Sequence, residues 1–207
     1  ARVTYLPVGA QGDFDMEAFK AACCEDTGLV SVMLVNNETG AVFPVRAVSD
    51  HLKSIRSHAL LHTDAVQGFL KLPFTPAALG VDLMTVSGHK IHAPKGSGAL
   101  FIKKGVTLPA FIRGGGQEHA LRSGTEAVPA IAAFGEACNA GFLNRAQHQE
   151  KLRSLRAYAL DKISAGVEGV SFILPESACA HILNLSLPGI PSQVLVRFLE
   201  ARGVFVS

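Results

Sequence analysis

Residues 81–90 read VDLMTVSGHK, in which an apolar run of strand length passes directly into the tetrad Ser87–Lys90. A lysine at the end of a buried strand can have a lowered pKa, and its amine can then attack a carbonyl carbon. A second lysine, Lys95, follows in the segment PKGSG, but the pattern G-x-x-x-x-G-K-[ST] of a phosphate loop is absent. We therefore expect Lys90 to carry chemistry and Lys95 to shape the turn into the next strand.

Other apolar runs of strand length lie on both sides of this stretch, separated by segments with helical spacing. Strands that are apolar on both faces and alternate with helices are typical of a largely parallel sheet covered on both faces. The sequence thus predicts an α/β fold. The predicted elements are the strands Leu29–Val35, Leu60–Asp64, Val81–Val86 and Gly98–Ile102, a helix over Arg46–Arg56, and terminal strands at Arg2–Val8 and Val204–Val206.

The second half of the chain has a different pattern. A mostly helical stretch extends from residue 128 to about residue 165, with a break expected near Gly141. Beyond it we predict a strand near Val170, a strand over Ile182–Leu187 and a helix over Ser192–Ala201. We expect residues 1–130 to be part of a large domain, and residues 131–207 to be a linking helix and part of a smaller α/β domain.

Composition excludes several classes of protein. The 207 residues carry a net charge of only +2, whereas proteins that bind nucleic acid or membrane surfaces carry a basic patch. No apolar stretch approaches the roughly 18 residues of a transmembrane helix. The four cysteines show no spacing of a disulfide framework or zinc site, so we expect the reducing cytoplasm.

Three successive predicted strands end in residues with reactive or hydrogen-bonding side chains. Ligands of open α/β sheets bind at the carboxyl ends of the strands. Taken singly, each residue has an ordinary interpretation as a turn, a helix cap or a surface charge. Their recurrence at one edge favours a site. The residues are Asn37 after the first strand, Asp64 and Gln67 after the second, and Ser87, His89 and Lys90 after the third.

Together these groups match the needs of a pyridoxal 5'-phosphate site. A lysine amine condenses with the cofactor aldehyde, and a carboxylate such as Asp64 can keep the pyridine nitrogen protonated, so that the ring withdraws electrons. Asn37 and Gln67 could orient the phenolic oxygen of the ring. Ser87 and the His89 region could take the phosphate.

Four motifs, in order along the chain, resemble those of the NifS/IscS-type cysteine desulfurases. That group belongs to the class V aminotransferase branch of the fold-type I pyridoxal-phosphate enzymes. The resemblance extends from end to end, and its fourth motif favours the NifS/IscS group over SufS-like desulfurases. The motifs are VNNETG (35–40), HTDAVQ (62–67), SGHKIHAPKGSGAL (87–100) and GGGQEHALRSGTEAVPAI (114–131).

The resemblance implies the PLP-dependent transferase fold of type I and a role for each matched residue. Lys90 would bind the cofactor covalently, and Asp64 would be the partner of the pyridinium nitrogen. Asn37 and Gln67 would surround the ring oxygen.

The phosphate contacts and the partners also follow from the resemblance. Ser87 and His89 would contact the phosphate, and Thr125, in RSGT, would reach the phosphate of the cofactor in the partner subunit, so that the family is an obligate homodimer. The substrate would be L-cysteine, which loses its sulfur to an active-site cysteine as a persulfide. Alanine is released, and the sulfur passes to an acceptor protein.

The chain departs from the family at the nucleophile that carries the sulfur. The family's catalytic cysteine follows a strand resembling ARGVFVS, residues 201–207, where this chain ends. Cys179, in ESACAH, resembles that loop but precedes HILNLSLPG, so we expect it to pack. We expect an internal piece of a desulfurase that binds cofactor weakly and is inactive alone. The alternatives are a class V aminotransferase or selenocysteine lyase relative, or a non-catalytic fragment that dimerises or binds a partner.

The remaining cysteines and histidines have structural interpretations. Cys23 and Cys24 fall on a predicted amphipathic helix and Cys138 on the long helix, where we expect all three to pack. His89 and His92 have no further cysteine or carboxylate at ligand spacing, so we expect no metal site.

Overall fold

A computed structural model describes residues 2–207, in which two sheets alternate with helices. The larger sheet has the strand order β1-β2-β3-β4; its first three strands are parallel and β4 is antiparallel. The smaller sheet is the antiparallel pair β5-β6. The elements are α1 Met16–Ala22, β1 Leu29–Met33, α2 Val45–Ser54, β2 Leu60–Asp64, α3 Pro76–Leu79, β3 Leu83–Ser87, a 3₁₀-helix Gly88–Lys90, β4 Gly98–Ile102, a 3₁₀-helix Glu118–Ala120, α4 Val128–Gly166, β5 Ser171–Ile173, β6 Asn184–Ser186 and α5 Ser192–Glu200.

The predicted α/β architecture with a largely parallel sheet is confirmed, and its register brings the strand ends together. Met33 and Asp64, the last residues of β1 and β2, are paired, and Asp64 pairs with Thr85 of β3. Because the three strands are parallel, their carboxyl ends lie at one edge of the sheet. The segments that carry the predicted site residues leave the sheet from this edge, except the one with Thr125, which follows the antiparallel strand β4.

The hydrophobic core lies on one face of the larger sheet. Val32 and Leu61 point to this face and are buried, and α2 packs into the same core with Val48 and other apolar residues. On the opposite face Ser31 is exposed and His62 is half-buried, whereas Leu83, which is paired with His62, is buried. The predicted largely parallel sheet with flanking helices is confirmed, and most of its buried side chains lie on the face that α2 covers.

Helix α1 is shorter than the sequence suggests. Its first turn is capped by Asp15, whose carboxylate accepts hydrogen bonds from the backbone N–H groups of Glu17 and Ala18 at 3.0 and 2.9 Å. The helix ends at Ala22, so Cys23 stands at its C-cap and Cys24 lies outside it and is exposed. The prediction that both cysteines lie on the helix was wrong, and only Cys23 packs against the core.

Helix α4 runs without interruption through Gly141. The predicted break was wrong, because this glycine serves a close approach between elements: a Cβ there would lie 2.7 Å from Cδ1 of Leu70. The half-buried residues of α4, including Phe134, Gln149 and Arg156, recur at three- and four-residue spacing. One stripe of the helix therefore faces the rest of the protein.

The two predicted terminal strands are also wrong. Residues 2–8 make only an isolated bridge, between Val8 and Phe14, and Pro7 within them has no N–H to donate. In residues 204–206 the N–H of Val204 instead closes α5 by donating to Leu199 at 3.0 Å. An apolar segment becomes a strand only where a neighbouring strand satisfies its backbone groups. The predicted strands near Val170 and over 182–187 correspond to β5 and β6, and the helix over 192–201 corresponds to α5.

Candidate cofactor site at the carboxyl edge of the sheet

Lys90 stands at the end of the 3₁₀-helix that follows β3 without a linker. Its side chain is exposed at the carboxyl edge of the sheet, and its backbone carbonyl accepts a hydrogen bond from Nζ of Lys71 at 3.2 Å. Glycine suits the first residue of this turn, because a Cβ on Gly88 would clash with Oγ of Ser97 and lie 3.1 Å from both Ala93 Cβ and Phe134 Cδ2. The turn that carries Lys90 is thus held closely between its own loop and α4.

Asp64 and Gln67 follow on the neighbouring strand. One carboxylate oxygen of Asp64 accepts a hydrogen bond from the backbone N–H of Val66 at 2.9 Å, and among residues 2–207 the other has no protein partner. Asp64 is exposed at the end of β2. Gln67 is half-buried in the turn that follows, and within the same residues its side-chain amide makes no hydrogen bond. A carboxylate oxygen and an amide are therefore available to a ligand.

Asn37 lies in the loop after β1. The side-chain carbonyl of Asn36 shapes this loop by accepting hydrogen bonds from the backbone N–H groups of Glu38 and Thr39, both at 2.9 Å. Asn37 itself is exposed, and its Nδ2 donates to Oε1 of Glu38 at 2.7 Å. Asn37 thus lies at the predicted edge of the sheet, but its side chain is hydrogen-bonded to Glu38.

Ser87 and His89 are brought into direct contact. Ser87 Oγ and His89 Nδ1 are 2.7 Å apart, which leaves Nε2 of the exposed imidazole free for another partner. Thr125 is different, since it lies in an exposed segment just before α4 and makes no hydrogen bond to the other candidate residues within 2–207. Five of the predicted residues therefore surround the turn and strand ends near Lys90, and Thr125 stands apart from them.

A histidine with no predicted role lies on the face of the sheet opposite the hydrophobic core. His62 Nδ1 is 2.8 Å from Ser31 Oγ, and its Nε2 is 3.3 Å from Thr85 Oγ1. Burial lowers the pKa of His62, and the negative charge of Asp64, two residues along the same strand face, partly opposes this shift. The spacing H-x-D within a predicted strand was the signal that could have shown this neighbour of Asp64.

Lys71 and His181 were also missed. Burial lowers the pKa of Lys71, and the nearby charge of Lys90 lowers it further. The pKa of His181 falls to about 4, mainly through burial and then through the positive charges of Lys71 and Lys90. These groups come from three separate segments, so no local pattern in the sequence could indicate that they are neighbours.

The chemistry of this edge fits pyridoxal 5'-phosphate. Within residues 2–207, an exposed amine, a carboxylate oxygen and an amide without protein partners, and a hydroxyl–imidazole pair stand on adjacent strand ends. Within residues 2–207 no three His, Cys, Asp or Glu side chains are grouped to hold a metal ion. Over the same range no helix has the length and apolar character needed to cross a membrane.

Comparison with known proteins agrees with this geometry. The family model described as aminotransferase class-V matches residues 1–207. The chain is 40% identical to a cysteine desulfurase of Gluconacetobacter diazotrophicus and 35% identical to the cysteine desulfurase IscS of Clostridium botulinum, in both cases over 100% of its length. A solved structure of a NifS-like protein superposes with a TM-score of 0.89 at 38% identity and covers 100% of the chain.

The coverage is not symmetrical. The matched region is 51% of the Gluconacetobacter protein, 52% of the Clostridium protein and 56% of the solved NifS-like chain. The chain thus spans about half the length of the curated relatives it matches. The family match covers every residue, and the fold agrees along the whole length. This chain therefore belongs to the class-V aminotransferase family.

Proposed function

We propose that this chain is part of a pyridoxal-phosphate-dependent cysteine desulfurase, which converts L-cysteine to L-alanine and passes persulfide sulfur to an acceptor protein. The observation that carries the proposal is the position of Lys90, in the turn directly after β3 and beside the strand that ends in Asp64. The relatives' names support a desulfurase over the alternatives of an aminotransferase or a selenocysteine lyase. The IscS name supports a place in iron-sulfur cluster assembly.

Lys90 and Asp64 would perform the central tasks. When bound, the cofactor supplies an electron sink for bonds broken at the α-carbon of the amino acid. Nζ of Lys90 would hold the aldehyde carbon and, once released, move the proton at the substrate Cα. The free carboxylate oxygen of Asp64 would keep the pyridine nitrogen protonated, because a negative charge nearby favours the protonated ring.

The other residues of the edge would orient the cofactor. The unpaired amide of Gln67 and the exposed side chain of Asn37 would bind the ring oxygen. The hydroxyl of Ser87 and the imidazole of His89 would bind the phosphate, and their mutual hydrogen bond at 2.7 Å fixes the ring of His89 for that contact.

We propose a homodimer in which Thr125 reaches the cofactor of the partner subunit. Exposed apolar side chains on both sides of Thr125 support a protein contact there: Phe111 is 92% exposed, and Val128 and Ile131 are exposed at the start of α4. We further propose that residues 1–130 belong to the large domain and residues 131–207 to the linking helix and the small domain. The four free cysteines support a reducing compartment, the cytoplasm.

We infer that the 207-residue chain does not desulfurate cysteine by itself. Burial raises the pKa of the Cys179, Cys23 and Cys138 thiols, which makes them poor nucleophiles. Cys24 is exposed, but it precedes β1 and so lies at the amino edge of the sheet, about 17 Å of strand away from the Lys90 edge. Release of alanine from L-cysteine by the purified chain would contradict this inference.

Reductive trapping tests the proposed cofactor site. The chain is incubated with pyridoxal 5'-phosphate and reduced with borohydride, and the labelled lysine is identified by peptide mass mapping. We expect the label on Lys90, its loss in Lys90→Ala, and no loss in the matched control Lys95→Ala, because Lys95 lies in the exposed turn before β4. Label on Lys95, or label spread evenly over the lysines, would contradict the proposed role of Lys90.

A further inference from the structure

The turn over residues 68–72 connects α4 to the turn that carries Lys90. Nζ of Lys71 donates a hydrogen bond to the backbone carbonyl of Lys90 at 3.2 Å. The backbone carbonyl of Lys71 in turn accepts a hydrogen bond from the side-chain amide of Gln149 on α4. The preceding residue, Leu70, has a φ of +58° and packs against Gly141 of the same helix. Lys71 therefore joins three segments that are far apart in sequence.

The conformation of this turn is costly and is held from outside. A non-glycine residue in the left-handed region costs about 1–2 kcal/mol, and Leu70 adopts it where α4 presses against its side chain. Such strain persists only where the surrounding structure determines the conformation, and it is concentrated at functional sites. The contacts with Gly141 and Gln149 hold the turn in this conformation.

The amine of Lys71 has an unusual environment. It is half-buried and close to a second lysine, and within residues 2–207 it makes no salt bridge with a carboxylate. Both burial and the charge of Lys90 lower the pKa of Lys71. An amine in such a place needs a hydrogen-bond acceptor, and the acceptor is the carbonyl of Lys90, which receives no backbone hydrogen bond within the described residues.

We propose that Lys71 is a positioning residue for Lys90: it fixes the backbone from which the Lys90 amine reaches the cofactor. This inference rests on the proposed function. The side chain of Lys90 is long and exposed, so the place of its backbone decides where the amine can go. An error of about 1 Å in the position of a reacting group can slow a reaction by up to about 100-fold.

Time-resolved trapping of Lys90 tests this role. The Lys90 amine condenses with the cofactor aldehyde with loss of water, and hydride from borohydride reduces the product to a stable secondary amine. Lys71→Met keeps the apolar stem and removes the donor, and we expect trapping at Lys90 to slow roughly tenfold. Lys71→Arg keeps a charged donor, and we expect it to restore the rate to within about threefold. The control Lys95→Met should react like the unmutated chain.

The dependence on cofactor concentration separates positioning from general damage. We expect Lys71→Met to lower the limiting rate and to change the half-saturating concentration by less than about twofold, because Ser87 and His89 are untouched. A trapping rate in Lys71→Met equal to that of the unmutated chain would overturn the inference. An equally slow rate in Lys71→Arg would overturn it too. If the unmutated chain is labelled elsewhere than Lys90, the proposed function fails instead.

A measurement on the unmutated chain keeps the test decisive if Lys71→Met does not fold. In nitrogen-edited NMR, the ammonium protons of Lys71 should exchange with water more slowly than those of Lys95, because a hydrogen bond to the Lys90 carbonyl holds them. Equal exchange of the two ammonium groups would remove the contact on which the inference depends.

Discussion

The larger sheet with its helices (residues 16–102, here the sheet region) and helix α4 bury their side chains to very different extents. The buried apolar residues of the described chain lie between Phe19 and Ile91, with Cys179 as the single later member. The 39 residues of α4 include no buried side chain, although the helix carries exposed apolar residues such as Phe142 and Tyr158. The sheet region can thus hold its strand ends by its own packing, whereas α4 depends on further surfaces.

The residues of the candidate site are held by these two regions to different degrees. The strand ends with Asp64 and Ser87 belong to the sheet region, and the turn of Lys90 is additionally held from α4 through Phe134, and through Gln149 by way of Lys71. The sheet region therefore holds the strand ends of the site by itself, and α4 adds contacts to the turn of Lys90.

The largest expected effect comes from a matched pair of leucine truncations. Leu61 in β2 is 2% exposed, and Leu143 in α4 is 72% exposed. We expect Leu61→Ala to lower the free energy of unfolding by about 2–5 kcal/mol, because it leaves a cavity in the core. Leu143→Ala should change it by less than about 0.5 kcal/mol. Urea unfolding followed by circular dichroism measures both, and equal losses would show that α4 is as well packed as the sheet.

A smaller effect should appear in the free energy of unfolding, which should depend on pH through the titration of His181. The pKa of His181 in the folded protein is about 4, against an ordinary value of 6.5. Between these values the unfolded chain binds a proton that the folded chain does not, so stability falls as the pH falls from 6.5 towards 4. We expect a loss of about 1 kcal/mol between pH 7 and pH 5, after allowance for partial exposure.

The variant His181→Gln provides the control for that measurement. It removes the titrating group, so the unfolding midpoint in urea should depend less on pH between 7 and 5 than it does in the unmutated chain. An identical pH dependence in the two proteins would assign the effect to another residue.

The sheet region is where the sequence was most informative. The strands β1 to β4 were predicted from short apolar runs, because a strand that is buried on at least one face needs apolar residues there. The unequal burial of the two faces was not predictable, because the elements packed against the strands, and not the strands themselves, determine it. The terminal strands failed for a related reason: Val204–Val206 is apolar enough for a strand but has no neighbour to pair with in residues 2–207.

The candidate site shows the same limit. Lys90, Asp64 and Ser87 were predictable because they stand at strand ends, which the chain order reveals. The contact of Lys71 with the Lys90 carbonyl was not, because it depends on how a turn folds back under α4. Gly141 was misread as a helix break for that reason, since only the structure shows which residue approaches it.

Hydrogen exchange of the 207-residue chain, read by mass spectrometry, tests most directly whether the sheet region is self-supporting and α4 is not. We expect the amides of β1, β2 and β3 to exchange most slowly, near the rate of global unfolding, and those of α4 to exchange at least about 100-fold faster through local opening. Exchange in α4 as slow as in β2 would contradict this division of the molecule and, with it, the view that the scaffold of Lys90 is local.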